Sequence, residues 1–266
     1  MFDRFNRKIN YLRISITDRC NLRCSYCMPE YGIKLLEHKD ILTYEEIVEV
    51  TKEAIKSGIT KVRITGGEPL VRKGVAHLIE MITKLDGIQD LALTTNGILL
   101  EELAEELAKA GLHRVNISLD TINPDKFKEI TRGGDIFKVL SGIDAARKAG
   151  LNPVKINCVV RNNSLEPDAI EVKEYCFKHD LEVRFIHQMD LNSGCFKVVE
   201  GGNGGDCLSC NRLRLTANGF IKPCLFNDLQ YNIHELGIRN ALESAIYFKP
   251  EKGTINQINR FHNIGG

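Results

Sequence analysis

The sequence predicts an α/β fold built on a parallel sheet, followed by a small and irregular C-terminal part. Between Tyr11 and Gln188, short β-rich runs alternate with amphipathic helical patterns, which is typical of repeated βαβ units. After Gln188 this alternation stops. The predicted strands are Tyr11–Thr17, Lys61–Thr65, Asp90–Thr95, Arg114–Leu119, Val154–Val160 and Glu182–Gln188.

The helices between these strands have recognisable ends. Thr43 and Glu46 form a capping box before the first helix, and Gly58 ends it. An apolar stripe predicts another helix that ends at Gly111; it is formed by Leu100, Leu103, Leu107 and Ala110. Pro124 and Pro167 each mark the start of a helix, and Gly150 marks the end of the helix that begins after Asp135. Since right-handed crossovers place every βα loop at one end of a parallel sheet, we expect a partial TIM barrel of about six βα units with its chemistry at that end.

Composition and charge exclude several classes of protein. The 266 residues carry 36 Lys and Arg against 35 Asp and Glu, so a net charge of +1 gives no field to attract nucleic acid or acidic lipid. The longest uninterrupted apolar run, Ala245–Phe248, is too short to span a bilayer. Met1–Lys8 lacks the apolar stretch of a secretory signal. We therefore expect a cytoplasmic protein with no nucleic-acid or membrane partner.

Three of the nine cysteines follow the first strand closely: Cys20, Cys24 and Cys27. Thiols grouped in this way in a reducing compartment indicate metal ligands, because disulfides would not persist there. Three thiolates can hold three irons of a [4Fe–4S] cluster and leave the fourth iron open for chemistry. A zinc knuckle and unrelated buried cysteines are the alternatives. Small buried side chains are expected for the scattered cysteines, Cys158, Cys176 and Cys195.

A second group of cysteines lies in the C-terminal part: Cys207, Cys210 and Cys224. The Gly- and Asn-rich stretch before it, Asp190–Asp206, predicts a flexible connection. The segment Cys207–Gly266 has few apolar residues for its length, so we expect a metal cluster to stabilise it. These observations predict a barrel over residues 1–190 and a small C-terminal iron–sulfur domain over residues 191–266. A structural zinc site is the alternative for this second group.

Two motifs at the ends of the first two strands resemble those of the radical S-adenosylmethionine superfamily. The first is Asp18–Pro29, which reads DRCNLRCSYCMP, and the second is Gly66–Pro69, which reads GGEP. A glycine pair at a strand end lets the backbone approach a ligand closely. The resemblance implies that this turn meets the amino group of S-adenosylmethionine.

A narrower resemblance covers nearly the whole chain, which is similar to the GTP 3′,8-cyclase family of this superfamily. The matching segments are Tyr11–Ser15, Arg63–Thr65, Thr94–Gly97, Ser118–Asp120, Arg132–Gly134, Lys155–Asn157, Met189, Asn211–Leu215 and Ile264–Gly266. The resemblance implies conversion of GTP to (8S)-3′,8-cyclo-7,8-dihydroguanosine 5′-triphosphate, the first step of molybdenum cofactor biosynthesis. It also implies two [4Fe–4S] clusters and S-adenosyl-L-methionine as cofactors. The partners that it implies are GTP, an external electron donor, a downstream cyclic pyranopterin monophosphate synthase and a second copy in a homodimer.

The resemblance carries roles onto individual residues. GTP binding falls on Arg13, Arg63, Thr94, Lys155, Arg212, Leu213 and Arg214. Contacts with S-adenosylmethionine fall on Tyr26, Gly67, Ser118 and Met189. The catalytic set that it implies is Cys20, Cys24, Cys27, Arg212, Arg214, Gly265 and Gly266, the last two reaching back into the site as a side-chain-free tail. For each cation in a strand, a salt bridge to a nearby carboxylate is an open alternative.

The chain departs from the family at one place. Only seventeen residues, Asp190–Asp206, separate Met189 from Cys207, whereas the family carries several dozen more there. This shortening removes part of the expected wall around the second cluster. Two further hypotheses therefore accompany the GTP cyclase: a peptide-modifying radical enzyme with an auxiliary cluster, and an inactive GTP-binding remnant. Arg212, Arg214 and the Gly-Gly end argue against a peptide substrate, which has no use for triphosphate-binding cations.

Overall fold

The structure is a computed structural model that describes residues 1–190 and 196–258. In these residues, nine strands form one sheet in the order β6-β5-β4-β3-β2-β1-β7-β8-β9. The strands are β1 Tyr11–Ser15, β2 Lys61–Thr65, β3 Asp90–Thr95, β4 Arg114–Ser118, β5 Lys155–Val160, β6 Glu182–His187, β7 Arg212–Leu215, β8 Phe220–Lys222 and β9 Tyr231–Asn232. The prediction of six βα strands is confirmed, with differences of at most two residues at the ends.

Strands β1 to β7 are parallel, and helices connect the first six of them. The α-helices are α1 Tyr44–Lys56, α2 Val75–Thr83, α3 Leu100–Lys109, α4 Pro124–Thr131, α5 Ile136–Lys148, α6 Pro167–Lys178, α7 Ile233–Leu236 and α8 Ile238–Tyr247. The predicted capping box is present, since the Thr43 side chain accepts from Glu46 N and the Glu46 side chain accepts from Thr43 N. Pro124 and Pro167 lie in the first turns of α4 and α6, as predicted.

The C-terminal part continues the sheet and the core of the barrel. Strand β7 pairs in parallel with β1, and β8 and β9 follow as antiparallel strands. Leu213, Leu215 and Ile221 are fully buried in the same hydrophobic core as Leu12 and Ile14. The short segment therefore gains its apolar contacts from the barrel. The division at residue 190 stays a prediction, but sheet and core run across it.

The described part of the connection before β7 is a folded turn, whereas the sequence predicted a flexible link. We call residues 196–206 the Gly-rich turn. Its Glu200 exchanges two backbone hydrogen bonds with Phe185 of β6, and Val199 N donates to Gly204 O at 2.8 Å. Gly205 has a φ of +90°, and a Cβ there would overlap the Lys197 carbonyl oxygen. Glycine therefore lets the chain double back where other residues cannot.

None of the helices in the described residues is long and apolar enough to cross a bilayer. The expected cytoplasmic location stays a prediction.

Candidate active site

A cavity of about 720 Å³ lies between the parallel strands and the Gly-rich turn. Each strand from β1 to β7 contributes side chains to its wall, and the Gly-rich turn contributes Gly201, Gly202, Asn203 and Gly204. The Arg212 guanidinium donates to Asn203 O at 3.1 Å, which ties this turn to β7. The shortened connection therefore supplies a wall of the cavity.

The register of three central strands places cations side by side on the wall. Arg13 of β1 lies opposite Arg63 of β2 on one side and opposite Arg214 of β7 on the other. Two residues earlier in the strands, Tyr11 lies between Lys61 and Arg212. Residues two apart point to the same face of a strand, so both rows face the cavity.

Burial and mutual repulsion act on these arginines. Burial lowers the pKa of Arg13 and Arg63, and the charges of neighbouring arginines add to the effect. Burial and the charge of Arg212 lower the pKa of Arg214 to about 10. Like charges held together in a partly buried wall are unfavourable without an anion. This part of the wall is thus suited to an anionic ligand.

The lining carries an excess of positive charge. Eight cationic side chains face it against two carboxylates, those of Asp90 and Glu182. Asp90 is engaged by Arg114, whose Nε and Nη2 donate at 2.9 and 2.6 Å. Glu182 pairs with Lys155, so the salt-bridge alternative holds for Lys155. A polyanion such as a triphosphate matches the remaining charge.

Several buried polar atoms at the cavity have no hydrogen-bond partner among the residues that the structure describes. They are Nε of Arg63, Arg184 and Arg212, Oγ1 of Thr94, the Tyr11 hydroxyl and Nδ1 of His187. Buried polar groups are nearly always paired, and each unpaired one costs about 1–3 kcal/mol. Their grouping around one cavity indicates that a polar ligand completes their hydrogen bonds.

The first cysteine triad lies directly after β1, beside this cavity. Cys27 N and Met28 N both donate to Cys24 O at 3.0 Å, which folds the segment into a turn. All three thiols are partly buried, and Cys27 lines the cavity. Burial raises the pKa of Cys24 to about 12 and of Cys27 to about 11, with Cys20 adding to both. The three thiols therefore lie within electrostatic reach of one another.

This donor set fits a [4Fe–4S] cluster. Three neighbouring thiols suit three of its irons. In residues 1–190 and 196–258, no three His, Cys, Asp or Glu side chains converge as a single metal ion requires.

A hydrogen-bonded carboxylate joins the first triad to two other strands. The Tyr26 hydroxyl donates to Asp120 Oδ2 at 2.8 Å, and Val159 N donates to Asp120 Oδ1 at 2.8 Å. Burial raises the pKa of Asp120 despite these donors. Tyr26, Ser118 and Met189 line the cavity, so three of the four predicted S-adenosylmethionine contacts lie on its wall.

The fourth predicted contact, Gly67, does not line the cavity. A Cβ on Gly67 would lie 2.5 Å from the Arg19 carbonyl oxygen, and Gly67 N donates to Thr17 O at 2.7 Å. The glycine therefore lets the end of β2 lie against the segment that leads to Cys20. Its role toward S-adenosylmethionine stays a prediction.

Glu68 in the same turn holds two loops together. Its carboxylate accepts from Leu70 N at 3.0 Å, from Thr95 Oγ1 at 2.7 Å and from Asn96 N at 2.6 Å. Burial raises the pKa of Glu68 to about 7, while these donors favour the ionised form. Glu68 thus connects the ends of β2 and β3 below the first triad.

Replacing Glu68 by Gln is expected to lower the free energy of unfolding by about 1–3 kcal/mol, because an amide NH₂ group would face at least one of the three donors. Urea unfolding followed by circular dichroism, above the pKa of about 7, measures the loss. Glu106→Gln on the exposed face of α3 is the matched control and should change stability by less than about 0.5 kcal/mol. Equal stability of the two variants would contradict this role.

The second cysteine triad lies in the segments before β7 and after β8. Cys210 N donates to Cys207 O at 3.3 Å just before the strand, and Cys224 follows β8. Burial acts to raise the pKa of Cys210, but Lys249 and Arg212 outweigh it and the pKa is lowered. Burial raises the pKa of Cys224, with Cys210 adding to it and Lys249 opposing. Cys210 and Cys224 are therefore neighbours around Lys249. Three thiols on these two turns also fit a [4Fe–4S] cluster.

The structure separates the predicted residues into three groups. Those on the cavity wall are Arg13, Tyr26, Cys27, Arg63, Thr94, Ser118, Lys155, Met189, Arg212 and Arg214. Those away from the lining are Cys20, Cys24, Gly67, Cys207, Cys210, Cys224 and Leu213, the last fully buried in the core on the opposite face of β7. Gly265, Gly266 and the scattered Cys195 lie outside the described residues, whereas Cys158 and Cys176 are buried as predicted.

The sequence reasoning missed several residues of the site. Arg184 of β6 lines the cavity, and a cation inside a predicted strand was the same signal that singled out Arg63. Tyr11 and His187 line it as well. Nothing in the sequence distinguished Lys249, which the fold brings to the second triad.

Several known proteins are similar to this chain. The family model of the radical SAM superfamily matches residues 14–176. The GTP 3′,8-cyclase of Alkaliphilus oremlandii is 42% identical over 300 residues, covering 95% of this chain and 94% of that protein. The GTP 3′,8-cyclase of Petrotoga mobilis is 41% identical, covering 94% of each chain. Because 300 aligned positions exceed the 266 residues here, these relatives carry residues that this chain lacks.

Solved structures support the fold. Streptococcus suis SuiB bound to S-adenosylmethionine has a TM-score of 0.67 and 17% identity, covering 92% of this chain and 64% of that one. A second structure, anSMEcpe with bound AdoMet and Kp18Cys peptide, has a TM-score of 0.60 and 18% identity, covering 91% and 81%. At these identities the likeness concerns the fold alone, and it agrees with the predicted partial barrel.

Proposed function

Because the chain belongs to the GTP 3′,8-cyclase family of the radical S-adenosylmethionine superfamily, we propose that it converts GTP to (8S)-3′,8-cyclo-7,8-dihydroguanosine 5′-triphosphate in molybdenum cofactor biosynthesis. One observation of the structure carries the proposal for this chain. The cavity with two rows of cations lies against the first cysteine triad and extends to β7, which begins two residues after Cys210 of the second triad. A bound triphosphate nucleotide would thus lie beside both triads.

Family membership also supports the predicted cofactors. When bound, the reduced first cluster and S-adenosylmethionine supply the radical that removes a hydrogen from the ribose C3′ of GTP. Cys20, Cys24 and Cys27 would hold this cluster, and Tyr26, Ser118 and Met189 would contact S-adenosylmethionine from the cavity wall. The protein's part is to fix the two ligands next to each other and to exclude competing reactions.

The cations of the wall bind and orient the nucleotide in this proposal. Arg13, Arg63 and Arg214 form the row that receives phosphate oxygens, since guanidinium groups match phosphate geometry. Thr94 offers a buried hydroxyl without a protein partner in the described residues. Lys155 adds charge while it keeps Glu182 paired.

The second triad, Cys207, Cys210 and Cys224, would hold the other [4Fe–4S] cluster, which would supply a binding site for the guanine. Arg212 and Arg214 reach the cavity from the strand that starts two residues after Cys210, so nucleotide and cluster would meet there. Leu213 can contribute to this site only through its backbone, because its side chain is buried in the core. The proposal also includes Gly265 and Gly266 in the site, and only the family resemblance supports their inclusion.

The shortened connection is compatible with this function. The Gly-rich turn lines the cavity and bonds to Arg212, so the chain closes the wall with fewer residues than its relatives use. This is the feature that favours an active cyclase over an inactive remnant. An external electron donor, the downstream synthase and a homodimer stay predictions.

Anaerobic reconstitution with GTP, S-adenosylmethionine and dithionite, followed by mass spectrometry, tests the proposal. We expect methionine, 5′-deoxyadenosine and a GTP-derived cyclic product isomeric with GTP. Cleavage of S-adenosylmethionine with GTP left unchanged would favour the peptide-modifying alternative. Binding of GTP without any turnover would favour the inactive remnant.

A further inference from the structure

Lys249, which follows α8, is only 1% exposed although its side chain carries a positive charge. Its ammonium donates to the carbonyl of Arg212 at 2.8 Å and to the carbonyl of Pro223 at 2.5 Å. Within residues 1–190 and 196–258, it forms no ion pair with a carboxylate. A buried ammonium is costly unless a negative group lies nearby, so its surroundings must supply one.

The two carbonyl groups belong to the chain segments that carry the second cysteine triad. Arg212 lies two residues after Cys210, and Pro223 directly precedes Cys224. The ammonium thus lies between the two turns that present these cysteines.

A second buried cation fixes the chain around Lys249. Arg7 donates to Pro250 O at 2.7 Å, to Glu251 O at 2.9 Å and to Cys207 O at 2.7 Å. Asp3 balances the charge of Arg7 through an ion pair of 2.6 Å. Arg7 therefore holds Lys249 and the first cysteine of the triad in a fixed relation, while its own charge is already neutralised.

We propose that Lys249 is a positioning residue of the second cluster and that its ammonium sets the reduction potential of that cluster. The inference rests on the second-cluster part of the proposed function. Thiolate ligands would make such a cluster negatively charged. This negative charge is the partner that the buried Lys249 ammonium lacks among the protein side chains of the described residues. Reduction adds a further negative charge, so an ammonium held between the two turns that carry the ligands favours the reduced state.

The test uses the full chain with Cys20, Cys24 and Cys27 replaced by Ala, so that only the second cluster forms. In this background, Lys249→Met and Lys249→Gln remove the charge, and Lys249→Arg keeps it. Lys222→Met is the matched control, because Lys222 is also buried near Cys224 but donates to Gln230 at 2.6 Å. Iron content and a redox titration followed by electron paramagnetic resonance are measured for each protein.

We expect the ratio of reduced to oxidised cluster at a fixed potential to fall about tenfold in both neutral variants, which corresponds to about 59 mV for one electron. Lys249→Arg and Lys222→Met should keep the parent value. Loss of iron from both neutral variants, with retention in Lys249→Arg, would also support the proposal.

Two results would overturn the proposal. The first is an unchanged reduction potential in a neutral variant, which would mean that Lys249 only binds the two backbone carbonyls. The second is loss of iron from all three Lys249 variants. Absence of the cluster from the background protein that keeps Lys249 would instead remove the second cluster from the proposed function, and this inference with it.

Discussion

Replacement of Cys24 by Ala is expected to halve the iron and sulfide of the protein and to abolish cleavage of S-adenosylmethionine. Anaerobic protein with both clusters should contain about eight irons and eight sulfides per chain, and about four of each should remain in the variant. Cys24 is the middle cysteine of the first triad, and its carbonyl also accepts the two hydrogen bonds that shape the turn. The measurements are iron and sulfide analysis and the yield of 5′-deoxyadenosine.

Cys176→Ala provides the control for this variant. Cys176 is also buried and also a thiol, but it lies in α6 among core residues. Its replacement should leave the iron content and the cleavage reaction intact. Full iron content in Cys24→Ala would show that the first triad does not hold a cluster. Stoichiometric zinc at the second triad of anaerobically isolated protein would contradict the count of eight.

Replacement of Arg63 by Ala is expected to weaken GTP binding by about 1.5–3 kcal/mol, or roughly ten- to hundredfold, as for loss of a charge-assisted hydrogen bond. Arg63 has no carboxylate partner in the described part of the chain, and its buried Nε has no acceptor there. We therefore expect the Arg63 side chain to contribute little to the stability of the fold. Equilibrium binding of GTP to the anaerobic protein measures the effect.

Arg239→Ala is the matched control for Arg63→Ala. The Arg239 side chain is 75% exposed on α8 and pairs only with Glu243, one turn away. It should bind GTP with unchanged affinity. Both variants should keep reductive cleavage of S-adenosylmethionine without GTP. Unfolding of Arg63→Ala, or loss of its first cluster, would mean that Arg63 serves the structure instead of the substrate.

The strands of the barrel could be predicted closely because local patterns determine them. The bounds of β2 and β3 agree at both ends, since each is a short run rich in β-forming residues between two loops. The predicted β1 extends two residues beyond Ser15, where the chain leaves the sheet toward the first triad. The cysteine groups were equally visible, because their spacing is a property of the sequence itself.

Features that depend on distant contacts could not be predicted from local patterns. The role of Lys249 arises from carbonyls 37 and 26 positions away, and a lone Lys after a helix gives no signal of burial. The Gly-rich turn was interpreted as a flexible link because glycine permits both extended and folded paths. Only its contacts with β6 distinguish the two.

The pairing of β7 with β1 has a consequence for how the chain is made. Strand β1 begins at Tyr11, but its partner on one side starts at Arg212, about two hundred residues later. During synthesis one edge of the first strand therefore stays without a neighbour until almost the whole chain has left the ribosome. Contacts this far apart in sequence slow folding, and an open strand edge invites pairing with other chains. The segment with the first triad follows that strand directly, so its surroundings are complete only when the last strands have docked.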